Sequence, residues 1–186
     1  MTVEEIFGKI NQHMIEGLMV HSQMSDYFNF LGLEGYSKCH LYHFYEESMN
    51  FRCINDYYLK NYNKLILEMP TNNPKIIPAD WYKYTRQQVD AGTRKTSISA
   101  AAKKWVDWEY NTKTLYQQMY QELMAMNEVA GAIEVKKLIE DVSEEYSIAM
   151  QKMIELKAID YDITIILEEQ DKLENCYDKK IKKLFL

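Results

Sequence analysis

The sequence predicts an all-α protein: a four-helix bundle with one long crossover between its second and third helices, followed by a fifth helix. Three observations support this fold class. Only six glycines and three prolines interrupt 186 residues, which leaves few places where a helix must break. Five segments carry apolar residues at helical spacing. All three prolines fall in the connection between the second and third of these segments.

The first predicted helix spans residues 3–30. Thr2, followed by Glu5 three residues later, is a capping-box pattern. Apolar residues then recur at helical spacing: Ile6, Ile10, Met14, Leu18, Met24 and Phe28. Gly32 and Gly35 predict a short turn after this helix, because glycine readily adopts the positive φ at which many helices end. Such a turn makes the first two helices antiparallel neighbours.

The second helix is predicted over residues 36–67. Three prolines within nine residues follow it: Pro70, Pro74 and Pro78. Proline lacks the amide hydrogen that a helix needs and clashes with the preceding turn, so these residues prevent the helix from resuming. Residues 69–96 are therefore predicted as one long crossover. A short helix around Trp81–Val89, capped by Asp80, is expected inside it.

Three further helices follow the crossover, predicted at residues 97–126, 132–158 and 163–185. Ser97 or Ser99 is expected to cap the third helix, and Gly131 marks the break before the fourth. Short turns on either side of one long crossover describe a bundle in which the second and third helices run parallel. We expect residues 1–186 to form a single domain.

Composition and charge disfavour several functional classes. The net charge of −6 opposes general binding to nucleic acid phosphates, and the basic segment Lys179–Lys183 is too short to reverse that balance. No run of about 18 apolar residues predicts a membrane span, and the N-terminus lacks the pattern of a secretory signal. Three cysteines without zinc-site spacing predict free thiols in a reducing compartment. We therefore expect a cytoplasmic protein that binds neither nucleic acid nor membrane.

Three predicted helices each place one glutamate on an inward face. Glu47 lies in the second helix, Glu109 in the third, and Glu145 interrupts the apolar stripe of the fourth. A carboxylate on a core face is costly unless it is paired, protonated or bound to a metal ion. Oxygen ligands combined with imidazole suit iron. Glu46, beside Glu47, is expected to be a solvated neighbour.

Several segments together resemble the bacterial non-haem ferritins. Met24–Phe28, then Leu33–Tyr36, then Glu46 and Glu47 are similar to the MSAYF-like stretch, the Leu-x-Gly turn and the EE-x-x-H motif of that family. Further agreement lies in Lys9–Gln12, in Glu109, and in Val142–Glu145, which is similar to the family's V-x-E-Q. The resemblance covers about two-thirds of the chain and implies a ferritin-like fold.

The resemblance implies a di-iron site inside the bundle, with ligands at Glu47, Glu109 and Glu145. Glu145 falls where these ferritins have glutamine and the haem-containing bacterioferritins have a bridging glutamate. Asn50 replaces the histidine of the second helix, and Ile148 stands where bacterioferritins have a second histidine. Both imidazole ligands are therefore missing. We expect a degenerate, carboxylate-dominated iron site, and no haem is indicated.

The ligand position in the first helix depends on the register of the comparison. Counting back from Met24 puts Met14 at this position, whereas matching the segment that starts at Lys9 puts Gly17 there. Glu16 is close by but lies on neither register. It reaches the site only if the helix contains a local bulge.

A displaced site is an alternative arrangement. His43 precedes Glu47 by four residues and shares its helix face, and His21 takes the place of a tyrosine that neighbours the metal site in the family. Neutral imidazole is a common metal ligand, although satisfied, partly buried histidines are the simpler expectation. The secondary candidate ligands are therefore Glu16, Asn50, His21, His43 and Glu144.

Two functional classes follow from these residues. The first is a ferritin-like protein that binds or stores iron at a modified site within a homo-oligomer, either a shell or a dimer, with ferroxidase activity if the centre is active. The second is a non-enzymatic bundle that has lost its metal site and whose glutamates join a hydrogen-bonded core network. The DNA-protecting mini-ferritins are a distant third, because their basic extension and interfacial His–Trp signature are not evident.

Overall fold

The computed structural model describes all of residues 1–186 and contains five long α-helices and no β-strand. The helices are α1 (Val3–Phe30), α2 (Glu34–Tyr62), α3 (Ala91–Ala125), α4 (Val129–Ala158) and α5 (Ile163–Leu184). Helix α1 packs on α2, α3 packs on α4, α1 also contacts α3, and α5 packs on α2. The all-α bundle with a fifth helix is therefore confirmed. None of the helices is both long and apolar enough to span a membrane.

The start of α1 and the turn after it agree with the sequence prediction. Thr2 accepts a hydrogen bond from the backbone amide of Glu5, and the Glu5 carboxylate accepts one from the amide of Thr2, so the capping box is present. Gly32 has φ +83°, a conformation that costs glycine little because it has no Cβ. This residue reverses the chain between α1 and α2.

Helix α2 ends at Tyr62, five residues before the predicted end at residue 67. Asn63 adopts the left-handed conformation with φ 52°, and its amide donates a hydrogen bond to the carbonyl of Leu59. Asparagine tolerates this conformation better than most residues, so it closes the helix. The prediction was wrong here because it took the first proline as the helix breaker.

The crossover contains two short 3₁₀ turns, Trp81–Lys83 and Arg86–Gln88, in place of the predicted helix at 81–89. Asp80 makes no capping hydrogen bond, so that prediction was also wrong. The Trp81 ring packs edge-on against Tyr27, with ring centroids 5.3 Å apart. This contact ties the crossover to the end of α1.

Helix α3 begins at Ala91, six residues before the predicted start. Asp90 is its N-cap and accepts a hydrogen bond from the amide of Thr93. The proposed caps were wrong: Ser97 lies inside the helix and donates to the Thr93 carbonyl, and Ser99 lies inside it as well. An aspartate is as good an N-cap as serine, and it comes first along the chain.

Helix α4 begins at Val129, after a turn in which Asn127 has φ 58°. Gly131, the predicted break, therefore lies in the first turn of the helix. A Cβ at Gly131 would lie 3.4 Å from the ring of Phe7. This glycine therefore lies next to Phe7 of α1.

The bundle core consists of two apolar halves with a polar layer between them. One half is built around Phe28 and Trp105, the other around Phe7 and Met119. Each of the first four helices crosses from one apolar half to the other near its middle. The crossing lies between Met14 and Val20 in α1, between Cys39 and Ile54 in α2, between Val106 and Tyr116 in α3, and between Val142 and Ala149 in α4. The order of the halves shows that α2 and α3 run parallel and that α1 and α4 run opposite to them.

Helix α5 lies along α2 and runs parallel to it. Near its start, Gln170 accepts a hydrogen bond of 2.8 Å from the amide of Gly35. Near its end, Phe185 packs edge-on against Tyr45 with ring centroids 5.1 Å apart. A Cβ at Gly35 would lie 2.9 Å from the carbonyl oxygen of Gln170, so glycine allows this close approach. The C-terminus of α5 therefore lies beside the middle of α2, next to the polar layer.

Candidate functional site

The polar layer brings together all three glutamates that the sequence selected as primary ligands. Glu47 of α2, Glu109 of α3 and Glu145 of α4 are 6%, 1% and 9% exposed. Three histidines share the layer, and each is at most 1% exposed: His21, His40 and His43. Acidic and imidazole side chains are rarely this buried in an otherwise apolar core.

His43 connects two carboxylates at the edge of this layer. Its Nδ1 atom lies 3.1 Å from Oε1 of Glu145 and 3.5 Å from Oε2 of Glu46. One ligand atom from each of the three residues lies within 4.8 Å of the other two. Such spacing allows one cation to contact all three. Glu46 also accepts a hydrogen bond from Tyr42, so the expectation that it is only a solvated neighbour was wrong.

His21 and Glu109 form a second contact, deeper in the bundle. Nε2 of His21 lies 3.6 Å from Oε1 of Glu109, just beyond hydrogen-bond distance. Trp105 donates its indole N–H to the same oxygen at 3.0 Å. Nδ1 of His21 lies 3.2 Å from Nδ1 of His40, so one of these two nitrogens donates to the other. α1, α2 and α3 are thus joined by polar contacts inside the core.

Four buried polar atoms of this layer have no hydrogen-bond partner: Nε2 of His21, Nε2 of His40, Nε2 of His43 and Oε2 of Glu47. An unsatisfied buried nitrogen or oxygen costs about 1–3 kcal/mol, so most such atoms in proteins are paired. The expectation of satisfied histidines is therefore wrong for these rings. Imidazole nitrogens and carboxylate oxygens are together the donor set that binds iron and similar divalent metals. The residues present fit such an ion.

Burial governs the titration of the carboxyl groups. Burial, and after it the charge of Glu145, raise the pKa of Glu47 from 4.5 to about 8, while the charge of His43 opposes the change. Burial and the same neighbouring charge hold the pKa of Glu109 well above its usual range. A protonated carboxyl is the lower-energy form of both groups at neutral pH, because a charge in this layer is poorly solvated.

The histidines respond to burial in two ways. Burial lowers the pKa of His21 and His40 well below 6.5, and the charge of His43 lowers both further. Burial also disfavours the charged form of His43, but the charge and hydrogen bond of Glu145 act together with Cys39 and hold the pKa of His43 well above 6.5. His43 is therefore the cationic member of the group, while His21 and His40 are neutral, the form in which imidazole binds metals.

The helix-one position that faces the site is Gly17. A Cβ on Gly17 would lie 3.5 Å from Oε1 of Glu47. Glu16 instead accepts hydrogen bonds from the side chains of Gln12 and Asn72 and from the amide of Asn72. Its carboxylate therefore faces the crossover. The structure agrees with the register that starts at Lys9, which puts Gly17 at the position facing the site.

The remaining candidates lie at the outer edge of the layer. Asn50, Glu144 and Ile148 line a cavity of 270 Å³ between α2, α4 and α5. Glu144 is exposed and Asn50 is half-buried. The structure therefore places Asn50 and Ile148, the two positions without histidine, on the outer side of the site, while the imidazoles of His21 and His40 lie on its inner side.

Two residues near the site are not among the candidate ligands selected from the sequence. His40 lies seven residues before Glu47, and that spacing on one helix face was the signal for it. Tyr116 has a buried hydroxyl without a partner. Burial raises its pKa, and the charges of Glu47, Glu145 and Glu109 raise it further. Its spacing of seven residues from Glu109 was the corresponding signal.

Three similar solved structures are archaeal ferritins. An engineered closed form of the Archaeoglobus fulgidus ferritin is 18% identical with a TM-score of 0.75, and the match covers 94% of this chain and 96% of that one. A humanized archaeal ferritin is 16% identical with a TM-score of 0.75, covering 92% and 94%. An open-pore ferritin from Archaeoglobus fulgidus is 18% identical with a TM-score of 0.74, covering 91% and 93%.

No protein-family model and no curated protein sequence matches the chain. At these identities the structural likeness establishes the fold, which is ferritin-like. A specific relationship to the bacterial non-haem ferritins stays a prediction from the sequence.

Proposed function

We propose that this protein binds iron inside its bundle, at a centre formed by Glu47, Glu109 and Glu145 together with the imidazoles of His21 and His43. The observation that carries the proposal is the set of buried donor atoms without partners, Nε2 of both histidines and Oε2 of Glu47, in a layer where three helices each contribute a buried carboxyl group. The likeness to archaeal ferritins supports iron as the metal.

The position of His43 supports a displaced ligand set. Asn50 lies one turn after Glu47 on α2, and His43 lies one turn before it. Both positions share the helix face of Glu47. The imidazole on this face of α2 therefore lies one turn before Glu47, at His43, and not one turn after it, at Asn50. This places it toward the part of the core that contains His21 and His40.

The protein's own part in this function is to hold the ion and to control protons. When bound, ferrous iron supplies one-electron chemistry toward oxygen or peroxide. Glu47 and Glu109 give up protons to become ligands, because burial keeps them protonated without a metal. The two apolar halves of the core keep bulk water away from the layer. Storage in a cytoplasmic homo-oligomer is the cellular role that we propose with it.

An anaerobic titration with ferrous iron tests the proposal. Protein purified without chelator should bind the ion with an affinity that Glu47→Gln and Glu109→Gln each lower by about tenfold or more, because each removes an anionic ligand. Glu168→Gln, at an exposed position of α5, is the matched control and should bind as the parent does. Admission of oxygen then shows from the ferric absorbance whether the bound iron is oxidised.

A metal-free core network is the competing function. Such a network would leave four buried donor and acceptor atoms unpaired, which argues against it. It also requires that the two glutamine variants bind iron no differently from the parent. That result would overturn the metal centre.

A further inference from the structure

We infer that metal reaches the interior centre through the surface cavity beneath the C-terminal end of α5, where Glu46, His43 and Glu145 capture a divalent cation. This inference rests on the proposed function, because it supplies the route for the ion held at Glu47 and Glu109. The cavity has a volume of 270 Å³ and opens between α2, α4 and α5.

The lining of the cavity favours cations. Four carboxylates contribute to it: Glu46, Asp141, Glu144 and Glu145. Lys180 is the only lysine or arginine among the lining residues. A recess lined by one sign of charge raises the local concentration of ions of the opposite sign and speeds their arrival.

The buried ring of His43 gives the acidic cavity a metal-binding nitrogen donor. The ring lines the cavity although the residue is only 1% exposed. Its Nδ1 atom is within 3.5 Å of a carboxylate oxygen on both Glu46 and Glu145. These three residues place one ligand atom each within 4.8 Å of the others. A single cation in the cavity can therefore contact all three residues.

The same ring connects the cavity to the interior centre. Nε2 of His43 is buried and has no partner, and the ring centroid lies 5.4 Å from that of His21. His21 in turn lies beside Glu109. The ring of His43 thus lies between the cavity and His21, and an ion that moves inward from the cavity passes this ring to reach His21 and Glu109.

Lys180 opposes the incoming ion. Its ammonium lies 5.1 Å from the ring centroids of both Tyr42 and Tyr177, which keeps a positive charge at the cavity rim through cation–π attraction. The ammonium and a divalent cation in the cavity repel each other. The last turns of α5 therefore slow loading by charge as well as by covering the cavity.

Stopped-flow mixing with Co²⁺ tests the route, with equilibrium titration beside it. Glu46→Gln should slow filling of the tight site by about fivefold or more at low salt, and Lys180→Gln should speed it by about two- to tenfold. Glu168→Gln, an exposed substitution on α5, is the control and should change neither rate. An unchanged loading rate in Glu46→Gln would overturn the inference. So would loss of the tight ion in that variant, because Glu46 would then belong to the interior centre.

A second set of variants separates this inference from the proposed function. The double variant Glu47→Gln/Glu109→Gln lacks the two carboxylates that belong to the interior centre alone and should retain one weakly bound Co²⁺, which the further change Glu46→Gln removes. If the double variant retains no ion, the capture site fails while the interior centre stands. If the single variants Glu47→Gln and Glu109→Gln bind the tight ion as the parent does, the proposed function fails, whatever Glu46→Gln does. Circular dichroism on every variant checks that the fold is intact.

Discussion

Nδ1 of His43 lies 3.1 Å from Oε1 of Glu145, and this contact joins α2 to α4 at the edge of the polar layer. Burial opposes the charged form of His43, but this carboxylate together with Cys39 holds the pKa of His43 well above 6.5. The metal-free protein therefore contains an imidazolium–carboxylate pair here. A metal ion that coordinates Nδ1 must displace its proton.

We expect metal binding to release protons. The pKa of Glu47 is raised to about 8, so this carboxyl is mostly protonated at pH 7 and must ionise to bind a cation. The affinity for Co²⁺ should then rise with pH up to about pH 8, by up to about tenfold per pH unit for each proton released. Calorimetric titration in buffers of different ionisation enthalpy measures the number of protons. An enthalpy independent of buffer would contradict this expectation.

We expect the contribution of Glu47 to destabilise the metal-free protein increasingly as pH rises from about 4.5 to about 8. Over this range the folded state keeps a proton on Glu47, whose pKa is raised from 4.5 to about 8, and the unfolded state has already lost it. Stability falls with pH wherever the folded state binds more protons. Glu47→Gln removes this dependence and should stabilise the metal-free protein by about 1–3 kcal/mol at pH 8 relative to pH 5.

Urea denaturation at pH 5 and pH 8 in the presence of a chelator measures the effect of Glu47→Gln. Glu168→Gln is the control, because its side chain is exposed on α5. A stability difference between Glu47→Gln and the parent that is the same at both pH values would show that Glu47 does not carry the proton. Metal should reverse the order at pH 8 and favour the parent, because only the parent keeps the ligand.

We expect Gly17→Glu to strengthen metal binding. A Cβ at Gly17 would lie 3.5 Å from Oε1 of Glu47 and from the indole of Trp108, which is ordinary contact distance. A carboxylate at this position would therefore add a further anionic ligand from α1. The affinity for Co²⁺ should rise by about tenfold. Unchanged affinity would show that Gly17 does not face the bound ion.

Gly17→Ala is the matched control for the added carboxylate. It should leave metal affinity unchanged and stabilise the fold by about 0.5–1 kcal/mol, because alanine loses less backbone entropy than glycine in a helix. Thermal unfolding of the metal-free protein measures this. A loss of stability would mean that α1 and α2 are packed more closely here than the distances indicate.

We expect Gly35→Ala to loosen α5. A Cβ at Gly35 would lie 2.9 Å from the backbone oxygen of Gln170 and 2.9 Å from Cβ of Leu173, and neither atom belongs to a flexible side-chain end. Forcing the helices apart should cost about 1–3 kcal/mol. Limited proteolysis should cleave α5 sooner than in the parent or in Gly17→Ala. Equal cleavage rates in all three proteins would contradict the close packing of α5 on α2.

The sequence was sufficient for the helices because their apolar spacing is local information. It was insufficient for several helix boundaries, among them the end of α2 at Tyr62 and the start of α3 at Ala91. A left-handed Asn63 and an aspartate cap at Asp90 decide these ends. The sequence prediction instead took the prolines as the end of α2 and a serine as the cap of α3. Helix boundaries depend on single residues, and several candidates within one turn compete on nearly equal terms.

The sequence by itself determined that α2, α3 and α4 each carry one inward glutamate, because a carboxylate that interrupts a helical apolar stripe has only one face to occupy. Only the tertiary structure decided what lies beside these glutamates. The register of α1 against α2 places Gly17 rather than Glu16 at Glu47. The docking of α4 on α2 sets Glu145 against His43. Contacts between distant segments depend on how whole helices pack, and no spacing within one helix encodes them.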